Sequence, residues 1–149
     1  MSTRSTIAVK QDDGSVKAIY CHYDGYPTGV GMFLTQFYNS AFEANQMIAM
    51  GNMSTIGASI GDKVDFNSFT DFGKQCVFYG RDRKEPDQEA QTYGSVTEWV
   101  ASVGEAGENY GYIFQDGKWV AYERTYAFGV QSTRKIGAMS IKIEFEKVA

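Results

Sequence analysis

Histidine, cysteine and proline are scarce in this chain of 149 residues, which holds one His, two Cys and two Pro. A single histidine excludes HExxH zinc sites and any metal centre that needs two imidazoles from one chain. Cys21 and Cys76 form no C-x-x-C pair and no disulfide framework, so they read as reduced thiols. No basic excess is present: 14 Lys and Arg stand against 18 Asp and Glu, a formal charge of −4. That excludes the broad cationic footprint needed for sequence-independent nucleic-acid binding. No run approaches the roughly 20 apolar residues of a membrane helix. The opening MSTRSTIAVKQDDG lacks the apolar core of a secretory leader. A cytoplasmic protein with no membrane partner is the expectation.

The usual cofactor motifs are missing too. GASIGDK lacks the terminal G-K-[ST] of a phosphate loop. Asp62, Asp65 and Asp71 are spaced wrongly for a calcium loop, and the glycine that loop needs is absent. GYPTGVG orders its glycines wrongly for a dinucleotide fingerprint, and there is no GxSxG elbow. Neither a metal nor a cofactor is expected.

What is present fits one domain over residues 1–149, with a core rich in aromatics. Phe, Tyr and Trp make up 15% of the chain, so many tyrosine hydroxyls need partners or a path to water. STIAVKQ and SVKAIYCHY flank DDG, which predicts a β-hairpin. Its register is open between two forms. A two-residue loop at Asp13-Gly14 pairs Ser5 with His22, and a three-residue loop with a glycine bulge pairs Arg4 with His22. After it, Val30, Leu34, Phe37, Ala41, Ala44 and Ile48 share one helical face. They predict one long helix with Thr28 as N-cap and Gly51 just past its end.

Residues 52–75 show no sustained period and read as loops with one or two short elements, followed by a short strand at CVFYG. RDRKEPDQEAQTYG reads as a solvated loop. Ser95 and Glu98 form a capping box for a short helix at SVTEWVASVG. YGYIFQDGKWVAYER is a second hairpin, with Phe114 facing Trp119 and Ile113 facing Val120 across Asp116-Gly117. TYAFGVQSTRKIGA reads as a long connection, within which Ser132–Lys135 offers cations to an anion or simply to solvent. Met139, Ile141, Ile143 and Phe145 alternate with polar residues and predict a closing strand. The fold class is α+β: a mainly antiparallel sheet of about five strands, with one long and one short helix packed on it.

AIYCHYDGYPTGVG concentrates the reactive side chains. Cys21 and His22 are neighbours on a strand and point to opposite faces, so they make no thiolate–imidazolium pair. His22 and Asp24 are two apart and suit an acid–base pair, which would make the protein a small hydrolase or phosphoesterase. Asp24 also suits a plain turn ahead of Gly25. The start of the helix offers N–H groups and partial positive charge, with no bulky side chains at Gly29 and Gly31. Arg4, His22, Asp24, Tyr26, Thr28, Gly29 and Gly31 are therefore the candidate grip for a small anionic ligand, such as a nucleotide. The same residues also make a self-capped corner. The row Tyr110, Tyr112, Phe114, Trp119 and Tyr122 suits a core or a homo-oligomer interface better than base stacking.

STRSTIAV, DDGSVKAIYCHYDGYPTGVG and the helix after them resemble a family of small phage and bacterial proteins with a TRS-type strand and a YCHWDGYP block. Tyr23 stands where that family usually has Trp. The resemblance covers about Ser2–Gly51. It implies a phage-type accessory protein acting inside a bacterial cell, one that sequesters a small anionic signal or inhibits a host defence protein. It supplies no catalytic residues. A protein-interaction module without a pocket is the remaining alternative.

Overall fold

The first hairpin takes the bulged form. β1 (Ser5–Lys10) and β2 (Val16–Cys21) pair antiparallel, Ser5 opposite Cys21 and Lys10 opposite Val16. Gln11 N–H bonds Ser15 O at 2.7 Å and Gly14 N–H bonds Gln11 O at 3.0 Å. Gly14 has φ +89°, the left-handed conformation that a bulge glycine supplies. The computed structural model describes residues 2–127 and 130–138.

The second hairpin joins β6 (Tyr110–Gln115) to β7 (Lys118–Ala127), with Phe114 opposite Trp119 and Ile113 opposite Val120, as the sequence predicts. Asp116 and Gly117 both have positive φ, 52° and 78°, which matches the twist of a two-residue turn to its strands. The two hairpins meet through a parallel pairing of β1 with β6, Ile7 beside Tyr112.

The sheet is mixed and has eight strands, not five mainly antiparallel ones. Seven run in the order β4-β3-β2-β1-β6-β7-β8, with β3 at Met53–Thr55, β4 at Val77–Phe78 and β8 at Val130–Ala138; β5 (Gln91–Tyr93) pairs with β2 off that path. β2 and β3 are parallel. The stretch read as a long connection, residues 125–138, holds the end of β7 and all of β8, which pair from Val120–Ala138 to Ala127–Val130. The solvated-loop reading of residues 81–94 likewise gives way in part to structure: α3 spans Tyr79–Arg83 and β5 follows. The closing strand expected at Met139–Phe145 lies outside the described residues.

The long helix is also corrected. Pro27–Gly31 form a π-helical turn that runs into α1 (Met32–Phe37), and α2 (Ala41–Ile48) starts afresh. The break has a local cause. Ser40 caps α2, accepting the Glu43 N–H at 3.1 Å and donating to the Glu43 carboxylate at 2.9 Å. Tyr38, at φ −130° and ψ 39°, leaves the helical path. Its carbonyl accepts the Trp119 indole N–H at 3.1 Å, and its hydroxyl donates to Gly57 O at 2.6 Å. Thr28 is not the N-cap: that position is Tyr26, with no side-chain cap bond.

Both faces of the sheet are covered. Ile7, Val9, Ile19, Leu34, Met47, Tyr112 and Trp119 belong to one core beneath α1 and α2. Ala8, Val16, Ala18, Ile113, Val120 and Tyr122 pack with Trp99 and Val103 of the α4 (Val96–Ser102) region. Ser95 caps α4 as read, accepting Glu98 N–H at 3.2 Å. Double coverage explains why Ser5–Val9 are buried without alternation. Of the aromatic row, Tyr112, Phe114, Trp119 and Tyr122 are buried, and Tyr110 packs half-buried against the first core.

Candidate functional site

Because β1 and β2 take the bulged register, Arg4 falls opposite His22 just past the last paired residues. Arg4 leaves the hairpin there and its carbonyl accepts Asn109 N–H at 2.8 Å. Its guanidinium stays close enough to His22 and Tyr20 to act on both electrostatically. Tyr20 and His22 are two apart on the strand, so their side chains lie on one side. The Tyr20 hydroxyl and His22 Nδ1 are 2.7 Å apart. Partial burial, and then the Arg4 charge, hold the His22 pKa below its ordinary value, so the ring is neutral at neutral pH. With a neutral ring the contact works in either sense: Tyr20 donates to bare Nδ1, or Nδ1–H donates to Tyr20. Burial pushes the Tyr20 hydroxyl up to about 12, partly opposed by Arg4.

Tyr20 forms one end of a cleft of ≈ 270 Å³ on the α4 side of the sheet. Thr6 and Ala18 lie along the cleft, and Tyr93 and Gln91 enter from β5, which pairs Val16 with Tyr93 and Ala18 with Gln91. Asn52 lines it too, accepting Tyr20 N–H at 2.8 Å and donating to Gln88 at 3.0 Å. The Tyr93 hydroxyl donates to Gln91 Oε1 at 2.8 Å, which leaves the Gln91 amide as a donor.

The loop after α4 closes the same cleft with Ala106 and Glu108. Glu108 is buried, and its Oε1 accepts the N–H groups of Gly104 and Ala106, each at 2.9 Å. Arg4 Nη1 donates to the carbonyl of that same Ala106 at 3.4 Å. A cation and a carboxylate thus converge on one residue beside Tyr20. Among the described residues no ion pair joins them.

The structure divides the seven candidate residues. Arg4 and His22 lie with Tyr20 near the cleft. Asp24, Tyr26, Thr28, Gly29 and Gly31 form a separate corner that satisfies itself. Asp24 has φ 55°; its carbonyl accepts Val30 N–H at 2.8 Å and its carboxylate accepts the Tyr26 hydroxyl at 3.1 Å. Gly29 N–H bonds Tyr26 O at 2.9 Å, and Gly29 and Gly31 are buried. The glycines serve close packing: a Cβ on Gly29 would collide with the Asp24 carbonyl. Tyr112 ties this corner to the sheet by donating to Gly25 O at 2.7 Å. His22 and Asp24 do not bond each other, since His22 is held by Tyr20 and Asp24 by Tyr26.

Neither cysteine is poised to react. Cys21 and Cys76 are buried free thiols, and burial pushes both well up from the ordinary thiol range. In the Ser132–Lys135 stretch, Arg134 pairs with Glu123 across β7 and β8 at 2.6 Å. No group of three or more His, Cys, Asp or Glu among the described residues is arranged to hold a metal ion. No helix among them is long and apolar enough to cross a membrane. Tyr20 was legible by its two-residue offset from His22; Glu108, in the loop EAGEN, carries no sequence signal. Compared with known proteins, the chain matches no family model, no curated protein and no solved structure.

Proposed function

We propose that this chain is a non-enzymatic binding protein that takes a small ligand bearing an anionic group into the cleft beside Tyr20. The observation that carries the reading is the Arg4 guanidinium at the rim of the cleft, where it donates to the carbonyl of Ala106, a lining residue, and pairs with no carboxylate among the described residues. Arg4 supplies charge-assisted hydrogen bonds, and Tyr20 and Tyr93 supply aromatic faces. Catalysis by a His22–Asp24 pair is disfavoured because each side chain has a different partner. Sequestration of a small signal by a phage-type accessory protein, the role implied by the YCHYDGYP resemblance, is the setting this reading suits.

Calorimetric titration with a panel of nucleotides, dicarboxylates and amino acids tests it. Saturable binding of one anion, weakened about tenfold by Arg4→Ala with the ligand recovered intact, is the expected result. Turnover of a bound ligand, or no binding across the panel, overturns it.

A further inference from the structure

Resting on that reading, we infer that the cleft takes a compact zwitterion, an α-amino acid, with Arg4 receiving its carboxylate and Glu108 its ammonium group. Two opposite charges reach one residue, Ala106: Arg4 Nη1 at its carbonyl and Glu108 Oε1 at its N–H. Glu108, Ala106 and Tyr20 line the cleft, Arg4 reaches its rim through the Ala106 carbonyl, and among the described residues the cation and the carboxylate do not pair with each other. A ligand that is only an anion adds negative charge beside the buried Glu108 carboxylate, which has two backbone N–H bonds but no cation paired with it among the described residues, and that is unfavourable at low dielectric. A ligand with a cation beside its anion satisfies both groups.

Size points the same way. The cleft is ≈ 270 Å³, at the small end for ligand sites. A nucleotide separates its phosphate from its base by a whole sugar, whereas an amino acid carries both charges on one carbon. The side chain would extend over Ala18 towards Tyr93 and Gln91, the apolar and neutral part of the cleft.

The probes are the twenty common L-α-amino acids, each with its N-acetyl form, added to 15N-labelled protein and followed by amide NMR. At least one free amino acid is expected to shift the Gly104 and Ala106 amides saturably, since both N–H groups bond Glu108. Its N-acetyl form, which keeps the carboxylate but loses the charge on nitrogen, is expected to bind about tenfold or more weakly. Glu108→Gln keeps an oxygen acceptor for the two backbone N–H groups and is expected to lose a similar factor without unfolding. The N-acetyl comparison needs no variant, so it stands even where Glu108→Gln folds poorly. Equal binding of free and acetylated forms, or binding of nucleotides and dicarboxylates alone, overturns the zwitterion while leaving anion binding intact. Binding of nothing in either panel overturns both readings.

Discussion

Asp82 and Arg81 are sequence neighbours whose side chains lie together, with Arg81 Nε 2.9 Å from Asp82 Oδ1 and Nη2 3.2 Å from Oδ2. The buried carboxylate also accepts Phe78 N–H at 2.8 Å and Val64 N–H at 3.0 Å, while Arg81 donates to the carbonyls of Ile60, Gly61 and Cys76. One pair therefore pins the irregular segment between β3 and β4 to α3.

Removing Asp82 leaves two N–H groups without their acceptor and the Arg81 guanidinium without its carboxylate. Asp82→Ala is expected to destabilise the fold by about 3 kcal/mol, and Asp82→Asn by less. Denaturant unfolding measures both; an Asp82→Ala variant as stable as wild type would remove this role. A pH dependence follows. Burial raises the Asp82 pKa, but the Arg81 bond and the Phe78 and Val64 N–H groups outweigh it, so the net value is lowered. A depressed carboxylate pKa gives stability that is complete above the unfolded value, about 3.9, and is lost as pH falls through the folded value. Acid unfolding of Asp82→Asn should lack that component.

Arg4 and His22 give a second titration. Burial first, then Arg4, lowers the His22 pKa. Histidine ring NMR should place its midpoint below the ordinary value of about 6.5, and Arg4→Ala should move it back upwards. A lowered histidine pKa favours the neutral ring in the fold, so this contribution is whole above the unfolded value and declines as pH falls through the folded one. A midpoint unmoved by Arg4→Ala would show that the guanidinium is not beside the ring.

These contacts also mark how far the sequence is legible. Hairpins announce themselves, because DDG and DG sit between alternating residues and each pairing closes within a few residues. Arg4 opposite His22 was one of only two registers that DDG permits. Parallel pairing of β1 with β6 leaves no local mark, since its partners are about a hundred residues apart. β4 falls inside the short strand read at CVFYG, whereas β3, three residues long, is too short to show a period. The helix break at Tyr38–Ser40 did leave a mark: Ser40-Ala41-Phe42-Glu43 carries the same S-x-x-E pattern as Ser95–Glu98. It was masked by apolar residues that keep helical spacing across the break. Glu108 gains its place only from the fold, which brings a glycine-rich loop over β2.

Gly29 is expected to tolerate no side chain. A Cβ there would run into the Asp24 carbonyl, which cannot withdraw because it accepts Val30 N–H. Gly29→Ala should cost about 1–3 kcal/mol, read as a lowered thermal midpoint. An unchanged midpoint would mean that the YCHYDGYP corner is looser than its contacts indicate.

Ser5 and Thr6 are adjacent buried hydroxyls with opposite expected outcomes. Ser5 Oγ has no hydrogen-bond partner among the described residues, so Ser5→Ala removes an unsatisfied polar group and should be neutral or stabilising by up to about 1 kcal/mol. Thr6 Oγ1 accepts the Trp99 indole N–H at 3.2 Å, so Thr6→Val strands that donor in the core and should cost about 1–3 kcal/mol. Equal costs for both, in the same unfolding assay, would refute the distinction.

Ala18 ties the fold to the proposed site. It faces the cleft between Tyr20 and the β5 residues, and its small side chain leaves the space that a ligand would occupy. Ala18→Val adds apolar volume on the cleft side and leaves Arg4, Tyr20 and Glu108 unchanged in identity. The expected result is therefore selective. Amino acids with large side chains should bind about tenfold or more weakly, while those with the smallest are affected least, because only the side-chain end of the cleft is narrowed. Titrating wild type and Ala18→Val with the same amino acids measures this ordering. A uniform loss across all sizes would mean that the variant disturbs Tyr20 and Arg4 instead. No loss at any size would place the ligand somewhere other than over Ala18.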